Sequence, residues 1–126
     1  MLIYVCSSSH GFGHAARDAA VLQWIRKLRP AWDLAFSSMV PEPVLKQFLG
    51  VQGVALRRCR WDVGMVQADA LGSDPDATVH ALERLNEHLP AQLDREVRWI
   101  RDRQQPVLVL ADCPPAAADL AGRLQA

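Results

Sequence analysis

The opening segment, residues 2–17, limits the possible folds of this chain more than any other stretch; its sequence is LIYVCSSSHGFGHAAR. Residues 2–7 are apolar or small and are followed by serines, which predicts a buried strand. Gly11 and Gly13 form a turn around Phe12, and an apolar-periodic run, which predicts a helix, begins at Ala15. Parallel α/β folds build phosphate sites from this succession, because glycines let the backbone approach a ligand and the free N–H groups of the helix point at it.

The rest of the chain continues the alternation of strands and helices. We expect helices over about residues 15–28, 41–50, 74–105 and 116–124, and further strands over 33–38, 54–58 and 107–111. Pro90 lies inside the long third helix and predicts a kink or a break there. This order predicts a Rossmann-like α/β domain: an open parallel sheet in the order 3-2-1-4, with helices on both faces. The third strand is the most polar, which suits a sheet edge.

The apolar spacing of the first helix predicts which side of it is buried. The predicted stripe consists of Ala16, Ala20, Trp24 and Leu28, joined by Val21 and Ile25. Among the tryptophans only Trp61 lies where a ligand could meet it, in a polar loop over residues 60–73. A loop of this length and polarity is more often functional than merely connecting.

Composition and charge exclude several classes of protein. The 126 residues suit one domain with one core, and half of them are hydrophobic. Fourteen basic and fourteen acidic residues give a formal net charge of zero. The chain therefore lacks the excess positive charge that nucleic-acid-binding proteins carry. No apolar run has the length of a membrane span, and we expect no transmembrane segment. Three scattered cysteines predict reduced thiols in a cytoplasmic protein, with Cys6 and Cys113 as small core residues.

The predicted topology brings the chemically useful side chains together at one crevice. In a 3-2-1-4 sheet, ligands bind between the carboxyl ends of strands one and four, the topological switch point. The candidate residues at this crevice are His10, Gly11, Phe12, Gly13, His14, Arg17 and Asp112. His14 opens the first helix, whose dipole favours a neutral imidazole that can accept a proton as a general base.

Each of these candidates also has a structural interpretation. His14 could serve only as a helix cap, and His10 could pack against the loop. Arg17 could hold a phosphate or carboxylate, or be a solvated helix residue. For Asp112 we favour a cap of the last helix over a ligand contact.

Three other kinds of site fit the opening segment less well. Gly11, Gly13 and Ala16 match a dinucleotide fingerprint, but Asp33 begins the second strand, at the end of the sheet opposite the ribose. The P-loop pattern G-x-x-x-x-G-K-[ST] does not occur in the sequence. His10 and His14 have the spacing of helical zinc ligands, but the glycines between them argue against a helix. We therefore expect neither a metal nor a cofactor.

Three segments in order resemble the N-terminal part of bacterial GT-B-type glycosyltransferases. The first, SSSHGFGHAARDAAVLQWI, is similar to the branch with an S-x-H-G-x-G-H-x-x-R opening, which also occurs as the glycosyltransferase-like part of plant arabinokinases. CRWDVGMVQADALGSDPDATV resembles a D-x-G-x-x-Q-x-D-x-L segment, and VLVLADCPPAAADLA resembles D-x-x-P-x-A. The matching residues of these two segments are Asp62, Gly64, Gln67, Asp69, Leu71, Asp112, Pro115 and Ala117.

The resemblance implies a function and a division of labour. In that fold the N-terminal domain binds the acceptor, a C-terminal domain binds most of the nucleotide-sugar donor, and catalysis occurs between them. His14 takes the position of the catalytic base or donor-phosphate ligand, with His10 as the second candidate. The substrate-binding residues carried over are Gly11, Phe12, Gly13, Arg17, Asp62, Gln67, Asp69 and Asp112. The alternative is a non-catalytic module that binds a sugar nucleotide or an anion.

The chain is short for such an enzyme. Its 126 residues lack the donor domain and the later strands of the first domain, so we expect an incomplete acceptor-side half that does not turn over substrate alone. The fourth strand would then present an unpaired edge, and we expect self-association there or by exchange of the last helix.

Overall fold

The computed structural model describes residues 1–50 and 52–126, which form four strands and four helices in strict alternation. The elements are β1 (Leu2–Cys6), α1 (Gly13–Leu28), β2 (Asp33–Ser37), α2 (Glu42–Leu49), β3 (Val54–Arg57), α3 (Pro75–Arg101), β4 (Val107–Ala111) and α4 (Ala116–Leu124). Among the described residues, none of the helices is both long enough and apolar enough to cross a membrane.

The strands form one parallel sheet in the order β3-β2-β1-β4. Cys6 at the end of β1 lies opposite Ser37 of β2 and Ala111 of β4, so the three strands end level with one another. The predicted Rossmann-like α/β fold and its strand order are confirmed. Asp33 pairs with Leu2 at the start of the strands, the end of the sheet where a dinucleotide's ribose would not lie.

Local signals account for the C-terminal end of α2 and the N-terminal end of α3. Gly50 ends α2 in the left-handed region at φ 55°, which glycine adopts without strain. Asp74 precedes α3 and accepts a hydrogen bond from the backbone N–H of Ala77 at 2.8 Å. Pro90 does not break α3, which runs as one helix of 27 residues.

The buried side of α1 differs from the predicted stripe. Ala15, Ala19 and Leu22 face the sheet, whereas Trp24 is 63% exposed and Leu28 is exposed as well. The predicted stripe contains Ala16 and Ala20, whereas the helix buries the preceding alanines, Ala15 and Ala19. The predicted buried face of α1 was therefore wrong, because the observed face is displaced around the helix by about one residue.

Two apolar layers enclose the sheet. Helices α1 and α2 cover one face, and α3 and α4 cover the other. Trp61, expected near a ligand, is instead 1% exposed within the second layer, and its indole N–H donates to the Ser37 hydroxyl at 2.9 Å. The indole is thus a core side chain with its polar atom satisfied, so Trp61 does not lie where a ligand could meet it.

A buried carboxylate ties α3 to the sheet. Glu96 is fully buried and accepts two hydrogen bonds from Arg57 of β3, at 2.8 and 2.9 Å, and one from the Tyr4 hydroxyl of β1 at 2.9 Å. Arg95 donates a further bond at 3.0 Å. Burial alone would raise the pKa of Glu96, but the hydrogen bonds, foremost those from Arg57, outweigh it and lower the pKa.

Strand β4 is an edge of the sheet and is less buried than predicted. Its second residue, Leu108, is 47% exposed, and Ala111 is exposed too. Leu108 and Leu110 point to the face that α1 covers, because they pair with Ile3 and Val5, but α1 lies over β1 and leaves β4 partly open.

Candidate functional site

The candidate site lies where β1 and β4 end side by side. Strand β1 leads through three serines into the glycine turn and α1, and β4 leads directly into Asp112 and Cys113. Because the two strands are neighbours, residues nearly one hundred positions apart come into contact. The predicted crevice therefore exists, and it brings His14, Arg17 and Asp112 together.

His14 and Asp112 form a hydrogen-bonded pair. Nδ1 of His14 lies 2.8 Å from Oδ2 of Asp112. An ionised carboxylate can only accept a hydrogen bond, so Nδ1 carries the proton, and in the neutral ring Nε2 keeps a free lone pair. The bond from His14, together with the charge of Arg17, holds the pKa of Asp112 below its usual value.

Arg17, in the first turn of α1, also donates a hydrogen bond to Asp112. Its Nη1 lies 2.8 Å from the same Oδ2 of Asp112, although the Arg17 side chain is 67% exposed.

Asp112 does not cap α4, because Pro115 takes the N-cap position, and within the described ranges neither α1 nor α4 has a side-chain cap. The capping interpretations of His14 and Asp112 were therefore wrong.

Cys113 belongs to the site and not to the core. Its Sγ lies 3.5 Å from His14 Nδ1, and the residue is exposed, which contradicts the core placement expected for it. Partial desolvation, then the negative charge of Asp112, raise the pKa of the Cys113 thiol. The sequence signal that could have found it was its position directly after Asp112.

The glycine turn leaves the start of α1 open. Gly11 has φ 75°, a conformation that other residues rarely adopt, and Phe12 is exposed with its ring against Phe48. A Cβ added to Gly13 would meet no described atom within 4 Å. The start of α1 thus has open space beside Gly13 and, among the described residues, no side-chain cap.

His10 packs over the loop of residues 58–74. A Cβ at Gly64 would lie 1.7 Å from Nδ1 of His10, so the imidazole occupies the space that a side chain there would need. In the part of the chain that the structure describes, the His10 ring makes no hydrogen bond to His14 or Asp112. The packing interpretation of His10 describes its position best.

The three loop residues carried over from the resemblance differ in their roles. Asp69 accepts hydrogen bonds from the backbone of Leu71 and Gly72, at 2.8 and 2.7 Å, and thus shapes its own turn. Gln67 is exposed and forms an isolated bridge with Ser73. Asp62 lies closer to the site, since its charge helps to raise the pKa of Cys113, and its buried Oδ1 has no hydrogen-bond partner among the described atoms.

Asp18 is a site residue that the sequence prediction missed. It is only 9% exposed, and neither its Oδ2 nor the nearby buried Ser7 hydroxyl has a hydrogen-bond partner within the described residues. Burial raises the pKa of Asp18, and the negative charge of Asp112 adds to the rise. Its spacing of four from His14 on α1 was the available signal. Asp18 borders a depression of about 260 Å³, lined by Val5, Arg17, Asp18, Val21, Leu110, Ala111 and Asp112.

The site also has the composition of a metal centre. One donor atom each from His14, Asp112 and Cys113 lie within 4.8 Å of one another.

No protein-family model, no curated protein and no solved structure matches the chain. A function for this chain is therefore inferred from the geometry of His14, Arg17, Asp112 and Cys113.

Proposed function

We propose that this chain is the acceptor-side part of a glycosyltransferase that moves a sugar from a nucleotide-sugar donor to a hydroxyl group. The observation that supports the proposal is the 2.8 Å bond between His14 Nδ1 and Asp112 Oδ2. An imidazole held by a carboxylate at one nitrogen presents the other nitrogen as a proton acceptor. A hydroxyl nucleophile needs such a base at neutral pH.

In the proposed reaction, His14 Nε2 takes the proton of the acceptor hydroxyl as its oxygen attacks the anomeric carbon. The bond from that carbon to the nucleoside diphosphate breaks, and the diphosphate leaves with the bonding electron pair. Asp112 stabilises the imidazolium that forms, as the carboxylate of a catalytic triad does. A single displacement of this kind inverts the anomeric centre.

The start of α1 has a second part in the proposal. The positive end of the helix dipole and the Arg17 guanidinium in the first turn both favour negative charge next to His14. This suits a phosphate oxygen of the donor or a carboxylate of the acceptor. The remaining donor contacts belong to a second domain, as the resemblance implies.

The test uses the longest natural protein that contains this chain, incubated with a panel of nucleotide sugars and hydroxylated acceptors. We expect a glycosylated product whose anomeric configuration is inverted, measured by mass spectrometry and NMR. His14→Ala should lower kcat by about 10² to 10⁴, the usual contribution of a general base. Asp112→Asn should lower kcat by at least about 10² at an unchanged fold, because it removes the partner that orients the ring.

A matched control is available on α3. His80 lies 3.2 Å from Glu83 through Nδ1, so it is also a histidine beside a carboxylate, but it is exposed and remote from the crevice. His80→Ala should leave kcat unchanged. Full turnover in folded His14→Ala would refute the assignment of the base.

The second candidate is a binding module without catalysis, and the open N-terminus of α1 favours it. Such a module would bind a sugar nucleotide or an anion without consuming it. Calorimetry with the donor panel separates the two candidates: binding that weakens in Arg17→Gln, together with no product in any reaction, would select the module.

A further inference from the structure

We infer that His14, Asp112 and Cys113 form a binding site for a thiophilic divalent cation of the Zn²⁺ type. The three side chains offer a nitrogen, an oxygen and a sulfur, the donor set that such ions take from proteins. They come from two elements, α1 and the segment after β4, which the paired strands hold next to each other. This inference does not depend on the proposed transferase activity.

The distances approach those of a tetrahedral site. With metal bonds of about 2.05 Å to nitrogen and 2.3 Å to sulfur, tetrahedral angles place the two donors about 3.6 Å apart. The observed separation of His14 Nδ1 and Cys113 Sγ is 3.5 Å. The nitrogen–oxygen separation would have to open from the observed 2.8 Å to about 3.3 Å, which a small rotation of the Asp112 carboxylate provides.

The bound ion would take the place of the proton between His14 and Asp112. The ring proton of His14 moves from Nδ1 to Nε2 by exchange with water, Sγ releases its proton to the solvent, and the ion joins Nδ1, the thiolate and a carboxylate oxygen. Three protein ligands leave a fourth position for water, so the site would be open and not closed. Because the neutral ring bound through Nδ1 carries its proton on Nε2, the ion would act as an inhibitor of a base at His14 Nε2.

Arg17 opposes the ion, which provides a specific test. Its guanidinium donates a hydrogen bond to Oδ2 of Asp112 and places a positive charge beside the proposed metal ligands. Because the Arg17 side chain is largely exposed, it can turn toward water when the ion binds. Removing this charge should therefore strengthen metal binding, the opposite of what removal of a ligand does.

The experiment titrates the 126-residue chain with Co²⁺ and follows the near-ultraviolet thiolate-to-cobalt charge-transfer band. We expect a saturable band with one ion per chain, which stoichiometric Zn²⁺ displaces. Cys113→Ser should abolish the band, and His14→Gln should weaken Co²⁺ binding at least about tenfold, since changes even in outer-shell partners cost 10- to 100-fold. Arg17→Gln should strengthen Co²⁺ binding.

Two controls keep the result interpretable. His80→Gln should bind Co²⁺ like the parent, because His80 and Glu83 form an exposed pair without a thiol. Circular dichroism of every variant verifies the fold, and the ligands are surface residues whose loss leaves the core intact. A parent chain without the charge-transfer band, or a band that persists in Cys113→Ser, would overturn the site. Neither result bears on turnover, so the two proposals can fail separately.

Discussion

A single oxygen atom organises the site at the scale of residues. Oδ2 of Asp112 accepts hydrogen bonds from His14 and from Arg17, each at 2.8 Å. The orientation of the imidazole and the position of the Arg17 guanidinium therefore depend on one carboxylate. Asp18 lies on α1, the helix that carries His14 and Arg17. The negative charge of Asp112 helps to raise the pKa of Asp18, so the two carboxylates interact. The neighbourhood thus holds two carboxylates with opposite pKa shifts, an arrangement common where proton transfer is controlled.

Asp18 is expected to cost the folded chain stability at neutral pH. A carboxyl whose pKa is raised by folding destabilises the native state once it ionises, and this penalty is absent below its unfolded pKa of about 3.9. Asp18→Asn should therefore raise the free energy of unfolding at pH 7 by about 1 kcal/mol, because it removes a buried charge with an unpartnered oxygen. The gain should shrink as the pH falls toward 4, which urea unfolding at several pH values measures. A variant less stable than the parent at pH 7 would mean that the charge of Asp18 is paired in solution.

At the scale of elements, α3 has two different halves. Its buried residues Leu93, Glu96, Val97 and Ile100 all lie in the second half, whereas Val79 and Leu82 of the first half are largely exposed. The helix is therefore held to the domain by its C-terminal turns. Glu96 is the polar part of that attachment, since it bonds to both β1 and β3.

Replacing Glu96 should loosen α3 from the sheet. Glu96→Gln keeps the shape but removes the charge that Arg57 and Tyr4 bond to, so the free energy of unfolding should fall by roughly 3 kcal/mol. The lowered pKa of Glu96 means that its contribution is complete above the unfolded value of about 4.3 and is lost as the pH falls through the folded pKa. The acid side of the stability profile should accordingly be shallower in the variant. Equal stability of variant and parent at pH 7 would show that the network contributes nothing net.

The element boundaries were predictable because local chemistry determines them. Gly50 and the Asp74–Pro75 pair marked helix ends that the structure contains, and the β/α alternation predicted the sheet order. Properties that depend on packing between distant elements were not predictable in the same way. The orientation of α1, the burial of Trp61 and the exposure of Cys113 all follow from contacts across the sheet, which no short pattern encodes. The His14–Asp112 crevice was predicted because topology alone determines it, but the bond between the two side chains was not.

At the scale of the whole molecule, the sheet has one edge without protection. Strand β4, with sequence VLVLA, carries no charge and no proline, the devices by which natural edges avoid pairing. Leu108 on this edge is exposed, and Val21 of α1 is exposed on the same face of the sheet. A second copy placed edge to edge would cover both side chains and satisfy the open backbone groups.

We expect the 126-residue chain to self-associate through β4. Sedimentation velocity over a range of concentrations should show dimers that increase with concentration, and Leu108→Lys should remove them because a charged edge resists pairing. Val79→Lys is the matched control, since Val79 is an equally exposed apolar residue on α3. A parent chain that stays monomeric at high concentration, or dimers that survive Leu108→Lys, would contradict the edge model.

The packing of His10 on Gly64 has a consequence for how this sequence can change over evolutionary time. Position 64 has no room for a methyl group while the imidazole of residue 10 occupies that space. An alanine at 64 can be accommodated only after residue 10 has become smaller or has swung away, whereas residue 10 can shrink first without a clash. The two positions are therefore coupled, because a side chain at position 64 requires that the imidazole of His10 move away or be replaced by a smaller side chain.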